Sequence, residues 1–265
     1  MDQRPRIFDA QARAVRQVRA RRIGGDAFLA EAAREGIADR LAAVTRQFSA
    51  RLDVAFDSDE VLRAPEQGAD LAVSILDLHA INDLPGALVQ IRRALKPDGL
   101  FLGALFGGAS LQELRDSLAT AEIQTSGGIS PRVFPFADVR DMGGLLQRAG
   151  FALPVADVER TTILYKDFSS LIADLRVHGE TNILAERRKT PLSRAALAAA
   201  KAHYAAHHAD ERGRFRATFE IIYLTGWSPH ESQQKPLAPG SARTRLADAL
   251  GTVEHSAGEK TPPKP

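Results

Sequence analysis

Between Phe28 and Phe48 the apolar residues Leu29, Ala33, Ile37, Leu41, Val44 and Phe48 step by three or four, which predicts an amphipathic helix. Arg51–Phe56 reads as a short strand. Asp70–Leu76, DLAVSIL, is a nearly continuous apolar run, the pattern of a strand buried on both faces in a parallel sheet. Leu88, Ile91 and Leu95 keep a helical period through NDLPGALVQIRRAL. A Lys96–Gly99 turn then leads into a second buried strand, Leu100–Phe106. Ser110 with Glu113 three residues on has the form of a capping box and opens another helix. Gly127–Pro135 is a loop, Val139–Ala149 a helix closed by Gly150, and a strand lies within Phe151–Tyr165. Ser169–His208 is helical with a break near Thr190-Pro191, and Phe215–Leu224 is the last strand. Strands alternating with helices predict an α/β fold, a mostly parallel sheet with helices on both faces.

Composition narrows this picture. At 265 residues, with 44% apolar and 26% charged residues, the chain is long enough for one α/β domain with an insertion. A single domain is expected over residues 1–250. Its N-terminal helices fall in 1–50, a helical cap in 167–213, and 251–265 reads as a disordered tail. With no cysteine, disulfides, thiolate nucleophiles and Cys-held metals are excluded. A net charge of +2 gives no general case for nucleic-acid binding. The charge is uneven, because Met1–Arg22 carries seven Arg against Asp2 and Asp9. That pattern suits a solvated basic helix face, with weak contact to an anionic membrane surface as the sharper reading. No apolar run approaches the roughly 20 residues that span a membrane, and no secretory segment follows the N-terminus, so a cytoplasmic chain is expected.

The order DLAVSILDLHAINDLPGALVQIRRALKPDGLFLGALFGG resembles the second half of a class I S-adenosylmethionine-dependent methyltransferase domain. Gly127–Phe151, DLRVHGETN (Asp174–Asn182) and Gly226–Ala242 are similar to the branch of biotin-synthesis methyltransferases and complex I assembly factors, the alphaproteobacterial type included. The resemblance implies a Rossmann-like class I methyltransferase fold. It also implies S-adenosylmethionine as cofactor and, for the assembly branch, a respiratory-complex protein client.

One stretch departs from the family. RLDVAFDSDE (Arg51–Glu60) occupies the place of the glycine-rich cofactor loop and contains no glycine. Asp53 is vestigial, and Phe56 stands where a loop glycine belongs. Only Ala55–Ala69 separates the first strand from the next, too little for a helix and two strands, since one βαβ unit takes about 30 residues. The family's sheet order, 3-2-1-4-5-7-6, is therefore expected to shrink to a truncated 1-4-5-7-6, with the helical insertion before the last strand. The new edge should be covered by the N-terminal helix or the helix from Phe28. No cofactor is expected to bind.

Asp77 and His79 lie just beyond the DLAVSIL strand, where ligands sit in open α/β sheets, and are the catalytic candidates. As i, i+2 at a strand end they would share a face. Arg132, Glu180, Asn182, Trp227, His230 and Gln233 are candidates for substrate or partner contact. His203 and His207 form an i, i+4 pair without the Glu of H-E-x-x-H, so they read as solvent-facing and no metal is expected. Three functions remain open: a pseudoenzyme acting as a binding or assembly factor, an active methyltransferase or arginine-modifying enzyme with atypical cofactor binding, and a structural partner. The oligomeric state is open too.

Overall fold

The computed structural model of the chain describes residues 6–234 together with 248, 251 and 252. They fall in two compact units, Met1–His230 and Glu231–Pro265. In the first, five strands form one sheet: β1 (Arg51–Asp53), β2 (Ala69–Ile75), β3 (Leu95–Phe106), β4 (Ala152–Tyr165) and β5 (Phe215–Trp227). Their order is β1-β2-β3-β5-β4. The first two pairings are parallel, and β5 runs antiparallel to both its neighbours, so four strands point one way. This is the truncated order expected from the resemblance.

Among the described residues seven helices surround the sheet: α1 (Ala10–Ile23), α2 (Phe28–Ala42), α3 (Leu84–Ala94), α4 (Gln112–Ser126), α5 (Val139–Arg148), α6 (Phe168–Val177) and α7 (Arg194–His207). Alternation along β3 explains the layers. Leu100, Leu102, Ala104 and Phe106 face a core completed by α2, α4, α6 and α7. Phe101 and Leu105 face the opposite core, completed by α3 and α5. β2 is buried along almost its whole length, as its apolar run predicts. Gly36 lets α2 approach β5: an added Cβ would lie 2.2 Å from the Tyr223 hydroxyl.

Several local expectations change. The helix from Phe28 ends at Ala42, and Val44 and Phe48 pack on the core from the segment beyond it. β1 stops at Asp53, because Phe56 turns back to bridge Leu62. Lys96–Gly99 runs within β3, with Asp98 at φ +62°. Ser110 and Glu113 do not form a capping box. The Ser110 hydroxyl donates to the Glu220 carbonyl and accepts from its amide. Glu113 accepts from the amide and hydroxyl of Thr218, and Leu111 at φ +56° precedes the helix. Both residues tie α4 to β5 because they are buried there, and a buried polar group takes whichever partner satisfies it. The helical break is also wider than expected, spanning residues 178–193 between α6 and α7.

The sheet edge is not covered as expected. α1 packs on α6, and α2 lies over β2, β3 and β5. Instead β1 is three residues long and presents exposed Arg51 and Asp53, which pair with each other at 2.7 Å. A short charged edge resists strand addition without a cover. Of the tail expected over 251–265, residues 253–265 lie outside the described residues, as do 235–242 of the Gly226–Ala242 motif.

Candidate functional site

β1, β2 and β3 finish at one edge of the sheet, where two regions differ in character. On the β1–β2 side, the polar groups of the short connection are spent on backbone. Glu60 accepts from the Asn82 amide (2.7 Å), the Asn82 side chain (2.8 Å) and the Asp83 amide (2.8 Å), which anchors the connection to the start of α3. Asp57 caps its own turn, accepting from the amides of Asp59 and Val61. Those hydrogen bonds, the one to Val61 foremost, hold its carboxyl below the usual range. Asp70 at the start of β2 accepts from the Ser49 amide and hydroxyl and the Ala50 amide. Burial works against the charge there, but the hydrogen bonds win and lower its pKa to about 2. Phe56 bridges Leu62 and packs, half-buried, against the core on that face of the sheet. Asp53 is bound to Arg51. Beside Leu76 a cavity of about 190 Å³ remains. A more polar groove of about 610 Å³ runs between Arg6–Gln11 and Ser58–Val61.

The other region lies past the end of β3 and beside the start of β5, under α1, α4, α6 and the 178–193 segment. It holds a cavity of about 490 Å³ whose floor includes Phe106, Phe134, Phe136, Leu114, Leu118 and Phe219. The N-terminal segment closes one side: Phe8 bridges Leu184, and Asp9 caps α1 and pairs with Arg187 at 2.9 Å. Arg13 pairs with Asp77. Arg16 and Arg19 also turn towards this cavity, while Val15 and Val18 face outward. The basic stretch expected to be solvated is therefore divided: Arg13, Arg16 and Arg19 turn inward, while Arg6, Arg21 and Arg22 are exposed.

Asp77 and His79 do not share a face. β2 ends at Ile75 and Leu78–Ala80 is a 3-10 turn, so the two side chains diverge, Asp77 to Arg13 and His79 to Glu180 at 3.1 Å. The His79 ring is buried among Phe106, Phe134 and Phe136, which supply an aromatic wall from other elements. Its Nδ1 is buried with no hydrogen-bond partner among the described residues.

Arg132, Glu180 and Asn182 do come together around the cavity. Arg132 is bound to buried Glu122 at 2.6 Å, and Asn182 donates to the Pro131 carbonyl and accepts from the Leu184 amide. Trp227 pairs in register with Leu100 and Ala152, at the opposite edge of the sheet. His230 follows it there, and Gln233 belongs to the second unit. Sequence reasoning missed Arg16 and Arg19, although their spacing from Arg13 puts all three on one helix face.

His203 is not solvent-facing as expected. It is half-buried, 3.2 Å from the Ser117 hydroxyl, because α7 packs on α4. His207 is exposed. Ligand atoms of Asp116, His203 and His208 all lie within 4.8 Å of one another.

No protein-family model matches the chain. Among curated proteins it is 43% identical over 194 residues to the mitochondrial arginine-hydroxylase NDUFAF5 of Dictyostelium discoideum, covering 73% of this chain and 44% of that one. It is 35% identical over 179 residues to the malonyl-[acyl-carrier protein] O-methyltransferase of Xylella fastidiosa (strain M23), covering 67% and 58%. The chain thus spans about half the length of the curated relatives it matches. Among solved structures it is similar to a proposed methyltransferase of Bacillus halodurans C-125, with TM-score 0.46 and 12% identity over 73% of this chain and 99% of that one. The expected cytoplasmic location does not stand, since the NDUFAF5 relatives are mitochondrial proteins. That expectation rested on the lack of a membrane-spanning run. Among the described residues no helix is long and apolar enough to cross a membrane, but this carries no information about compartment. The chain belongs to the class I methyltransferase-like family, in the branch that holds the NDUFAF5 arginine hydroxylases and the malonyl-[acyl-carrier protein] O-methyltransferases.

Proposed function

We propose that this protein is a cofactor-independent member of its branch, a binding factor for a protein client of the respiratory complex I type. The observation that carries the reading is the connection from Val54 to Gly68. Its only glycine is the last residue, and it contributes neither strand nor helix. A nucleoside cofactor needs glycine for close backbone approach and an acid for its ribose. Here Phe56 bridges Leu62 and packs, half-buried, against the core on that face of the sheet, and Glu60 is bonded to Asn82 and Asp83. The cavity beside Leu76 is only about 190 Å³, and in the larger polar groove of about 610 Å³ the acid Glu60 is already engaged by Asn82 and Asp83.

The residues present do not fit S-adenosylmethionine, so no chemical step is routed through it. An arginine substrate fits the larger cavity no better. Arg16, Arg19, Arg132 and Arg187 border it, and the acid among its lining residues, Glu180, is bonded to His79. A guanidinium would meet like charges there.

Calorimetry with S-adenosylmethionine and S-adenosylhomocysteine tests the cofactor half. No heat of binding is expected, and micromolar affinity for either would overturn it. Affinity purification of the full-length chain from its own cells tests the client half. Complex I subunits are expected in the eluate, and their absence contradicts that half.

A further inference from the structure

The 490 Å³ cavity holds positive charge that the protein itself leaves unanswered. Arg16 and Arg19 are half-buried on the inner face of α1. The Nε of each is buried and has no hydrogen-bond partner among the described residues, and the one side-chain partner of the Arg19 guanidinium there is the neutral Thr181 hydroxyl at 3.4 Å. Burial, and then the charges of Arg19 and Arg187, hold the Arg16 guanidinium below its ordinary value, against the pull of Asp9. Arg187 is already engaged with Asp9 and the Leu184 carbonyl, and Arg132 with Glu122. A half-buried, unpaired cation is costly and is retained where something answers it. Beneath these arginines the cavity is apolar, floored by Phe106, Phe134, Phe136 and Phe219. Its volume falls in the range of sites that enclose a drug-sized molecule.

We propose that this cavity binds a small amphiphilic anion, with its carboxylate or phosphate head on Arg16 and Arg19 and its apolar body on the phenylalanine floor. The planar guanidinium fork suits both heads, because each offers two oxygens to parallel N–H donors. A neutral amphiphile satisfies only the floor, a cationic one is repelled, and a bare anion satisfies only the arginines.

The test is calorimetry on the full chain with four probes below their micelle concentrations: dodecanoate, dodecyl phosphate, dodecanol and dodecyltrimethylammonium. One anion per chain is expected, bound about tenfold or more tighter than dodecanol, the factor that one charge-assisted hydrogen bond supplies. The Arg16→Met/Arg19→Met pair should lose that factor for both anions and leave dodecanol binding unchanged. A matched circular dichroism spectrum shows that the pair is folded. Inorganic phosphate should bind more weakly than dodecyl phosphate. Equal affinity for all four head groups, or for phosphate with and without its tail, overturns the proposal. So does anion binding that survives in the double variant. Sedimentation with phosphatidylglycerol vesicles, without binding of the single amphiphiles, would assign the charge to a membrane surface instead and equally overturn it.

Discussion

The two regions at the carboxyl edge of the sheet handle polar groups in opposite ways. On the β1–β2 side each acid of the connection that points inward is satisfied by backbone of the same domain, as Glu60 by Asn82 and Asp83. On the cavity side Arg16 and Arg19 keep buried, unpartnered nitrogens above an aromatic floor. On one side the acids serve the scaffold, and on the other unsatisfied polarity remains of the kind a ligand meets. The contrast teaches that neighbouring regions of one sheet edge can be committed differently, because strand connection and ligand contact depend on different residues.

Substitutions should separate the regions by sign as well as size. Glu60→Ala removes the acceptor for three donors and should destabilise the chain by about 3 kcal/mol in urea unfolding. A loss near zero would mean that the connection is not anchored through Glu60. Phe56→Gly together with Ala55→Gly restores glycine to the loop, but it also empties a half-buried aromatic site. About 2 kcal/mol of stability should be lost, with no gain of S-adenosylhomocysteine binding, because no second strand presents a ribose acid. A cofactor-binding variant would show that glycine alone was missing.

Asp70→Ala should cost about 2 kcal/mol at pH 7. Because the folded pKa lies below the ordinary aspartate value of 3.8, this contribution is present above about pH 4 and fades as pH falls through about 2. Acid unfolding of the wild type should therefore steepen across that window and that of Asp70→Ala should not. Arg16→Met should have the smallest effect and the opposite sign. Replacing an unpaired half-buried cation with an apolar chain of similar length should leave stability unchanged or raise it by up to about 1 kcal/mol. A large loss would show that Arg16 serves the scaffold.

Much of this was legible in the sequence. DLAVSIL and LFLGALF announce two buried strands through local composition, and the missing glycines with the short Ala55–Ala69 connection give the truncated strand order. What was illegible depends on partners far along the chain. Nothing near Ser110 and Glu113 indicates that Glu220 and Thr218 would draw them away from a helix cap. His79 looks like a ligand at a strand end until Phe134, Phe136 and Glu180 arrive to enclose it. α1 inverts the usual rule, with Val15 55% and Val18 45% exposed while Arg13, Arg16 and Arg19 turn inward. Only the placement of Asp77 and of the cavity explains that choice.

The contrast between the regions is tested most directly by amide chemical-shift mapping of the full chain, with S-adenosylhomocysteine and then dodecyl phosphate added to one sample. The account predicts no shifts with the first. With the second, shifts should be confined to the cavity lining: α1, the start of α4, residues 172–189, and the floor around Phe106, Phe134, Phe136 and Phe219. Saturable shifts across residues 54–62 and 76–83 on adding S-adenosylhomocysteine would contradict it.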